Sequence, residues 1–520
     1  MATMKMTNVR LCRAVPLDNT YTDTLTFASA AAQQAYFNGK IKVTAGNLSY
    51  QRESMQIRWD GDYNSIVDCN YLAYQNPNFS GKWFYAFITH IEYVNDNTSY
   101  IYFEVDAYQT FMFDVQIKGC FVEREHVADD TIGANLIDEG VALGDYVANA
   151  VTETTFDDWW IVLASTVELK EAEYPPAGGY VYGGIYSGAS YYLFENTAFG
   201  VEAILAILSD LATAGKMDAI VGMHMIPKAI VEGGSTGGYL PATVKGATTM
   251  EIPDVKSLDG YTPRNNKLLC YPYRCLQISN NDGNAVTLRY EFFLNQAASV
   301  AYRGYGTPNG RIVCYPQSYK GVIRNFNESI SLGNFPQCTW GKNVYANWLA
   351  AQSIRWGYQK DRWFVNSMTS LGMDATANPN PLTPLTSGAR GLQSLYNVAS
   401  SMAEEKEVHS IIPPAIGGSV GSGYINVSLG KYAFTCEQKS IKAEIARSID
   451  EYFDMFGYRV NRVKVPNING RPSWNYVKTV DAKVIGACPV PYIDTIKSML
   501  NRGVTFWHGD WVGDYSRANK

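Results

Sequence analysis

Between Thr89 and Tyr146 the alternation of apolar and polar residues is cleanest, and it predicts a hairpin, a short helix and a third strand. Ile101, Phe103 and Val105 alternate with Tyr102, Glu104 and Asp106, the period of a strand with one buried face. Asn95-Asp96-Asn97-Thr98 supplies the turn before it. Asp106, with Gln109 three residues on, has the form of a capping box, and Tyr108, Phe111 and Met112 then share a helical face. A strand from Val115 runs on into Phe121-Val122-Glu123-Arg124-Glu125-His126.

Elsewhere the pattern is mostly of short strands. Val15 to Tyr21, Thr24 to Phe27 and Gln33 to Phe37 read as strand, turn and short helix, and Trp159 to Ala164 is an apolar run of buried-strand length. The glycines between Gly178 and Phe194 invite a phosphate-loop reading, but no Gly-Lys-Ser/Thr closes the run, so turns between short strands are expected. Val201, Ile204, Leu205, Leu208 and Leu211 recur at helical spacing before Gly215, and Ile220 to Met225 is the strand that follows. Asn281-Asp282-Gly283 marks a turn. Trp340, Val344, Trp348 and Ala351 share a helical period, as do Ile441, Ile445, Ile449, Tyr452, Phe453 and Phe456 before Gly457. The fold class expected is mainly β with α insertions (α+β), in several subdomains: 1–150 and 261–360 β-rich, 151–260 α/β with Gly-rich loops, 361–440 an apolar loop, and 441–520 a helix returning to strands.

The stretch 361–440 departs from its surroundings. Between Arg362 and Arg390 the only charge is Asp374, and none occurs from Ser410 through Gly430. Leu392, Leu395, Tyr396, Ala399 and Met402 trace an amphipathic face, whereas the part from Ser410 is too rich in Gly and Pro for a conventional spanning helix. Prolines and the glycines from Gly417 to Gly423 are expected to keep it out of any packed sheet. Exposed apolar stretches mark contact sites, so something must cover this one or it must move.

Composition adds that charged residues make up only 18% of the chain while Tyr alone numbers 37, which suits a β-rich surface partly covered by partners. The net charge of −6 comes without a Lys/Arg cluster, which disfavours gripping nucleic acid by its phosphates. The nine cysteines are scattered singly; buried free thiols are expected, with no metal or other cofactor.

Several ordered stretches carry a family resemblance: Phe87 to Asn95 (FITHIEYVN), Ile101 to Asp114 (IYFEVDAYQTFMFD), Phe121 to Asp130 (FVEREHVADD), Tyr261 to Leu268 (YTPRNNKL) with Tyr271-Pro272-Tyr273, Ser448 to Tyr458 (SIDEYFDMFGY), Arg471 to Tyr476 (RPSWNY) and Gly503 to His508 (GVTFWH). In these the chain resembles the tail-knob, or distal tail-tube, proteins of short-tailed Picovirinae-type phages. The resemblance implies a structural protein of the virion tail tip, assembled in the host cytoplasm into a closed ring that lets genome DNA pass without specific binding and joins other tail and collar proteins.

 The ring so implied is a hexamer, and the apolar loop is implied to plug its channel and then to penetrate the host membrane. The residues this assigns to the loop are Leu371, Leu382, Leu385, Leu392, Leu395, Tyr396, Met402, Ile411, Ile412, Ile416 and Val420. This loop is leaner in large aliphatic and aromatic residues than a fusion-peptide-like segment.

Two other function classes compete with the tube: a wall-degrading enzyme of the tail tip and a receptor-binding protein. The carboxylates available for acid–base work are Glu123 and Glu125 beside His126, Asp129-Asp130 and Asp157-Asp158. Ion pairing between subunits explains the first group as readily, and neither HExxH nor GxSxG occurs, so the expectation is not an enzyme. His224 sits on an apolar strand without Cys or carboxylate neighbours, which points to a packed core histidine.

Overall fold

In the computed structural model the strand Thr98–Val105 buries Ile101, Phe103 and Val105, as their period requires. It pairs with Lys82–Asn95, and the two belong to a sheet that closes on itself through Cys69–Asn76, Thr3–Arg13, Leu48–Gln51 and Gln56–Asp60. The interior of this six-stranded barrel is filled by side chains that include Met6, Leu11, Leu72, Phe84, Ile101 and Phe103. Strand Cys69–Asn76 is buried on both faces: Leu72 and Tyr74 point into the barrel, while Tyr71 and Ala73 pack with Trp474, Leu500, Phe506 and Trp507.

The structure describes residues 3–51, 54–169, 173–176, 181–182, 185–186, 189–216, 219–240, 245–294, 297–306, 310–333, 335, 337–340, 416–419 and 432–520. They form two compact units, the first from Met1–Asp145, Tyr261–Cys270 and Lys442–Lys520, the second from Tyr146–Gly260 and Tyr271–Ile441. Chain order suggested five consecutive segments; pairing between distant strands groups them otherwise. In the first unit, Cys120–Glu125 lies between Tyr458–Lys464 and Trp474–Val480, so the C-terminal strands complete a sheet begun by N-terminal ones.

The predicted helix after Asp106 is Ala107–Phe111, and the Asp106 carboxylate accepts from Gln109 N at 3.0 Å. Only half of the capping box forms. Asp106 N donates to Tyr85 O at 2.8 Å, and the Gln109 side chain donates to Leu25 O at 2.6 Å. Tertiary acceptors thus replace the local one. Val115–Ile117 and Cys120–Glu125 are two strands in different sheets, not one continuous strand.

The second unit contains a six-stranded sheet in which the wholly buried strand Trp159–Ser165 lies between Ser190–Glu195 and Ile220–Pro227. Helix Ala198–Thr213 buries Ile204, Leu208 and Leu211 in the same core, and Gly215 follows at φ +70°. Trp340 ends the strand Gln337–Trp340 rather than starting a helix; Val344, Trp348 and Ala351 lie outside the described residues. A four-stranded sheet in the order Tyr146–Thr155, Ala433–Ile441, Arg274–Ser279, Ala285–Leu288 shares that core, and its last two strands flank the Asn281-Asp282-Gly283 turn. Cys12, Cys69, Cys120, Cys270, Cys275, Cys314 and Cys436 are buried free thiols, and Cys488 is a half-buried one.

The helix Ala443–Phe456 ends at Gly457, as its glycine signals, with φ +63°. A Cβ there would lie 2.2 Å from the Glu125 carbonyl oxygen and 2.4 Å from its carbon. Gly457→Ala should therefore combine backbone strain with a collision against the central strand, and lower the stability of the first unit by about 3 kcal/mol or more. Thermal unfolding followed by tryptophan fluorescence checks this; a variant that melts with the parent chain contradicts the geometry.

Candidate functional site

Two places bring together the residues that the sequence singled out. The first, in the first unit, joins Arg124 to Glu139, Tyr261 to Lys267 and the helix Ala443–Phe456. On that helix Ala446, Ile449, Asp450 and Phe453 are buried, so a carboxylate stands on the apolar stripe. It accepts from Tyr261 Oη at 2.7 Å, Arg264 N at 2.7 Å, Asn265 N at 3.0 Å and Asn265 Nδ2 at 2.7 Å. One turn on, Asp454 accepts from Asn265 Nδ2 at 2.7 Å and pairs with Arg264 at 2.8 Å. Burial raises the Asp454 carboxyl above its ordinary range, while Asn265 and Arg264 pull it back. The YTPRNNKL stretch is thus a clamp for this helix.

Beside the clamp, Glu139 is buried between Arg124 and Lys267, and it also accepts from Arg459 N at 2.9 Å. Desolvation lowers the Lys267 pKa, and Glu139 opposes that shift. Two cations share one carboxylate here, and the surplus positive charge meets the helix C-terminus: Arg124 donates to Gly457 O at 2.7 Å. Neither Glu139 nor Asp450 was singled out from sequence. Their signal was present for Asp450 in its spacing, four residues from Ala446 and three from Phe453.

Of the acidic residues that could serve acid–base chemistry, Glu123, Glu125, Asp129, Asp130 and Asp158 are held by partners within the chain. Glu123 pairs with Lys478 at 2.9 Å, and Glu125 pairs with Lys464 while accepting from Asn467 N at 2.9 Å. A register shift between Val122 and Arg124 breaks the alternation, so Arg124 and Glu125 are both buried. Asp129 caps Thr131 N at 2.9 Å, Asp130 accepts from Tyr458 and Asn266, and Asp158 pairs with Lys228 at 3.1 Å. His224 is buried, with Nε2 3.0 Å from Gly306 O. Among the described residues no group of three or more His, Cys, Asp or Glu could hold a metal ion.

The second place is the base of the low-charge stretch, in the second unit. Gln337–Trp340 pairs antiparallel with Ile416–Ser419, so Trp340 and Ile416 stand opposite each other at the two ends of residues 341–415. Gly417 and Gly418 pair with Thr339 and Cys338, although these glycines were expected to stay out of a sheet. Main-chain bonds suffice, because Ile416–Ser419 is an edge strand. Of the loop residues named from sequence, Ile416 heads this strand. Leu371, Leu382, Leu385, Leu392, Leu395, Tyr396, Met402, Ile411, Ile412 and Val420 lie outside the described residues.

His126 joins the first place to the sheet: Nδ1 accepts from Tyr476 N at 2.8 Å, and Nε2 faces Asp454 O at 3.0 Å and so carries the hydrogen. Burial first, then the cations Arg471, Arg124 and Lys520, depress its pKa to about 4. A folded-state value below the ordinary one means that the stability from keeping the ring neutral is complete above about pH 6.5 and is lost as pH falls towards about 4. Asp106 works the other way, since burial raises it to about 6 and its protonation favours the fold. His126→Gln should flatten the acid loss of stability between pH 6.5 and 4 relative to the parent chain. Urea unfolding at stepped pH reads the difference, and parallel pH profiles would contradict it.

Residues 242–520 match the family described as the C-terminal domain of tail knob protein gp9 of Bacillus phage phi29, and residues 5–116 match the caudoviral major tail protein N-terminus. The chain is 25% identical to the tail knob proteins gp9 of Bacillus phage PZA and Bacillus phage phi29, and 26% identical to that of Bacillus phage B103. Each alignment covers 99% of this chain and 98% of the relative. In fold it is similar to the tail knob protein gp12 of bacteriophage C1, with a TM-score of 0.64 at 15% identity over 99% of this chain and 98% of that one. With more than half of its length inside the first of these matches, the chain belongs to the phi29 gp9 family of tail knob proteins, structural components of the phage tail.

Proposed function

We propose that this chain is the protomer of a closed, hollow hexameric ring at the distal end of the tail, and that genome DNA passes through its bore without specific binding. The low-charge stretch 361–440 plugs the bore before infection and enters the host membrane on release. Ring assembly takes place in the host cytoplasm, and the ring docks on other tail and collar proteins. Family membership and the likeness to the C1 tail knob support the structural role.

The observation that carries the plug is the strand pair Gln337–Trp340 and Ile416–Ser419. It brings the two ends of residues 341–415 together at one place in the sheet. Scarcity of charge then favours shelter in the resting ring and lipid afterwards.

The test compares the parent chain with a variant in which residues 346–411 are replaced by a short Gly-Ser linker that leaves Trp340 and Ile416 in place. Both should form rings of closed-oligomer mass at micromolar concentration, and only the parent ring should release dye from liposomes when mild acid or denaturant triggers it. A parent chain that stays monomeric contradicts the ring. Rings that never leak contradict membrane entry, and a linker variant that cannot form rings makes the stretch a structural arm.

A further inference from the structure

At one end of the six-stranded barrel the apolar core stops and an aromatic rim begins. Ile57, Ile101 and Ile91 lie side by side in the last core row, and the next row outward on the same inner face is Trp59, Ser99 and Tyr93. The short turn Tyr63–Ser65 folds over this mouth. Ile66 behind it is buried in the barrel core, and the Tyr63 ring stands edge-on to Tyr93 with centroids 5.5 Å apart.

Beneath the rim the bonding is incomplete. Ser99 Oγ and Trp59 Nε1 are both buried without a hydrogen-bond partner, and Ser99 has no access to water. An orphaned buried donor destabilises a fold, and native chains hold few of them, so a neighbouring pair in one row marks a place that a ligand atom would complete. Gly61 stands beside the indole N–H, and a Cβ added there would lie 3.0 Å from Trp59 Nε1. The glycine thus keeps the approach to that donor free of side-chain bulk.

Above the rim the surface is acidic. Asp62 opens the turn and accepts from Asn64 N at 3.0 Å, and Asp96, at the tip of the hairpin, accepts from Tyr93 Oη at 2.6 Å. Both carboxylates are exposed, and among the described residues neither forms a salt bridge. Arg58, the cation on the adjoining strand, is taken by Asp60 at 2.8 Å. Tyr93 is 53% exposed, so its ring is open to a ligand from outside.

We infer that this barrel mouth is a binding site for a small organic ammonium group with a neighbouring hydroxyl, of the class of ethanolamine and choline. Each part of the site meets a part of that ligand. A ring face attracts a cation through its quadrupole, and unpaired carboxylates beside it draw the same charge from farther out. Tyr63 and Tyr93 supply the rings, Asp62 and Asp96 the negative charge. With Tyr63 turned aside, Trp59 Nε1 donates to the ligand oxygen and Ser99 Oγ completes its contacts. A neutral polyol would leave the carboxylates unused, and an anion would be repelled by them. All of these residues belong to the first unit, so the site requires neither the ring nor the low-charge stretch.

Saturation-transfer NMR on the full chain tests the site with free ethanolamine, free choline and ethylene glycol as the neutral control. Both amines should receive transfer that fades as salt is added, and the glycol should receive none. Gly61→Ala, which fills the space at the indole, and Asp96→Asn, which removes an exposed charge, should each weaken ethanolamine binding by about fivefold or more, and Tyr93→Leu by about tenfold or more. Asp96→Asn leaves the buried rows untouched, and a melting temperature equal to that of the parent certifies each variant. Vesicles containing phosphatidylethanolamine identify the source: sedimentation with them that Asp96→Asn abolishes assigns a lipid headgroup, and binding of the free amine alone assigns a soluble one. A parent chain that gives no transfer to either amine, or as much to the glycol, overturns the proposal. So does amine binding that all three variants leave unchanged.

Discussion

A carboxylate buried in the first unit dictates where three distant parts of the chain must meet. Asp450 has no access to water, and an ionised group so placed costs several kcal/mol unless its acceptor sites are filled. Two main-chain N–H groups, a tyrosine hydroxyl and an asparagine amide fill them, all from Tyr261 to Asn265. The backbone of that stretch can take one course only while it serves the helix. The same residues, through Asn266 and Lys267, reach Asp130 and Glu139 on the N-terminal side. Helix, clamp and N-terminal strand are therefore positioned together or not at all.

Burial first, and then the cations around this hub, explain why His126 is neutral. Arg124 and Lys267 are both buried against a single carboxylate, and Arg471 and Lys520 add to the positive field at the imidazole. Carbonyl groups at the end of the helix absorb part of that field: Gly457 O takes Arg124, and Asp454 O takes both His126 and Trp474 Nε1. A second ring proton would set a donor against Tyr476 N as well as a charge against the cations. Structure and titration are one constraint here.

The second unit answers to a different pressure. Its core is large and continuous, shared by three sheets and a helix, yet among the described residues polar edges remain where main-chain groups end without a strand beside them. Sparse charge over the whole chain suits a surface partly covered by partners.

Local periodicity was enough to determine several elements: Ile101, Phe103 and Val105 on one face, the buried run at Trp159, the helix before Gly215 and the helix before Gly457 each depend on neighbours in sequence. Ordered motifs were enough for the family. What sequence left undetermined is whatever needs a distant partner. The bulge at Glu123, the half-formed capping box at Asp106, the strand at Gln337–Trp340 and the pairing of Gly417 and Gly418 each follow from main-chain groups far away in the chain. Asp450 shows the division best. Its place on an apolar stripe was written in the spacing of Ala446, Ile449 and Phe453, but that Tyr261 to Asn265 would be its partner was settled only by folding, because hydrogen bonds over such a separation leave no periodic trace.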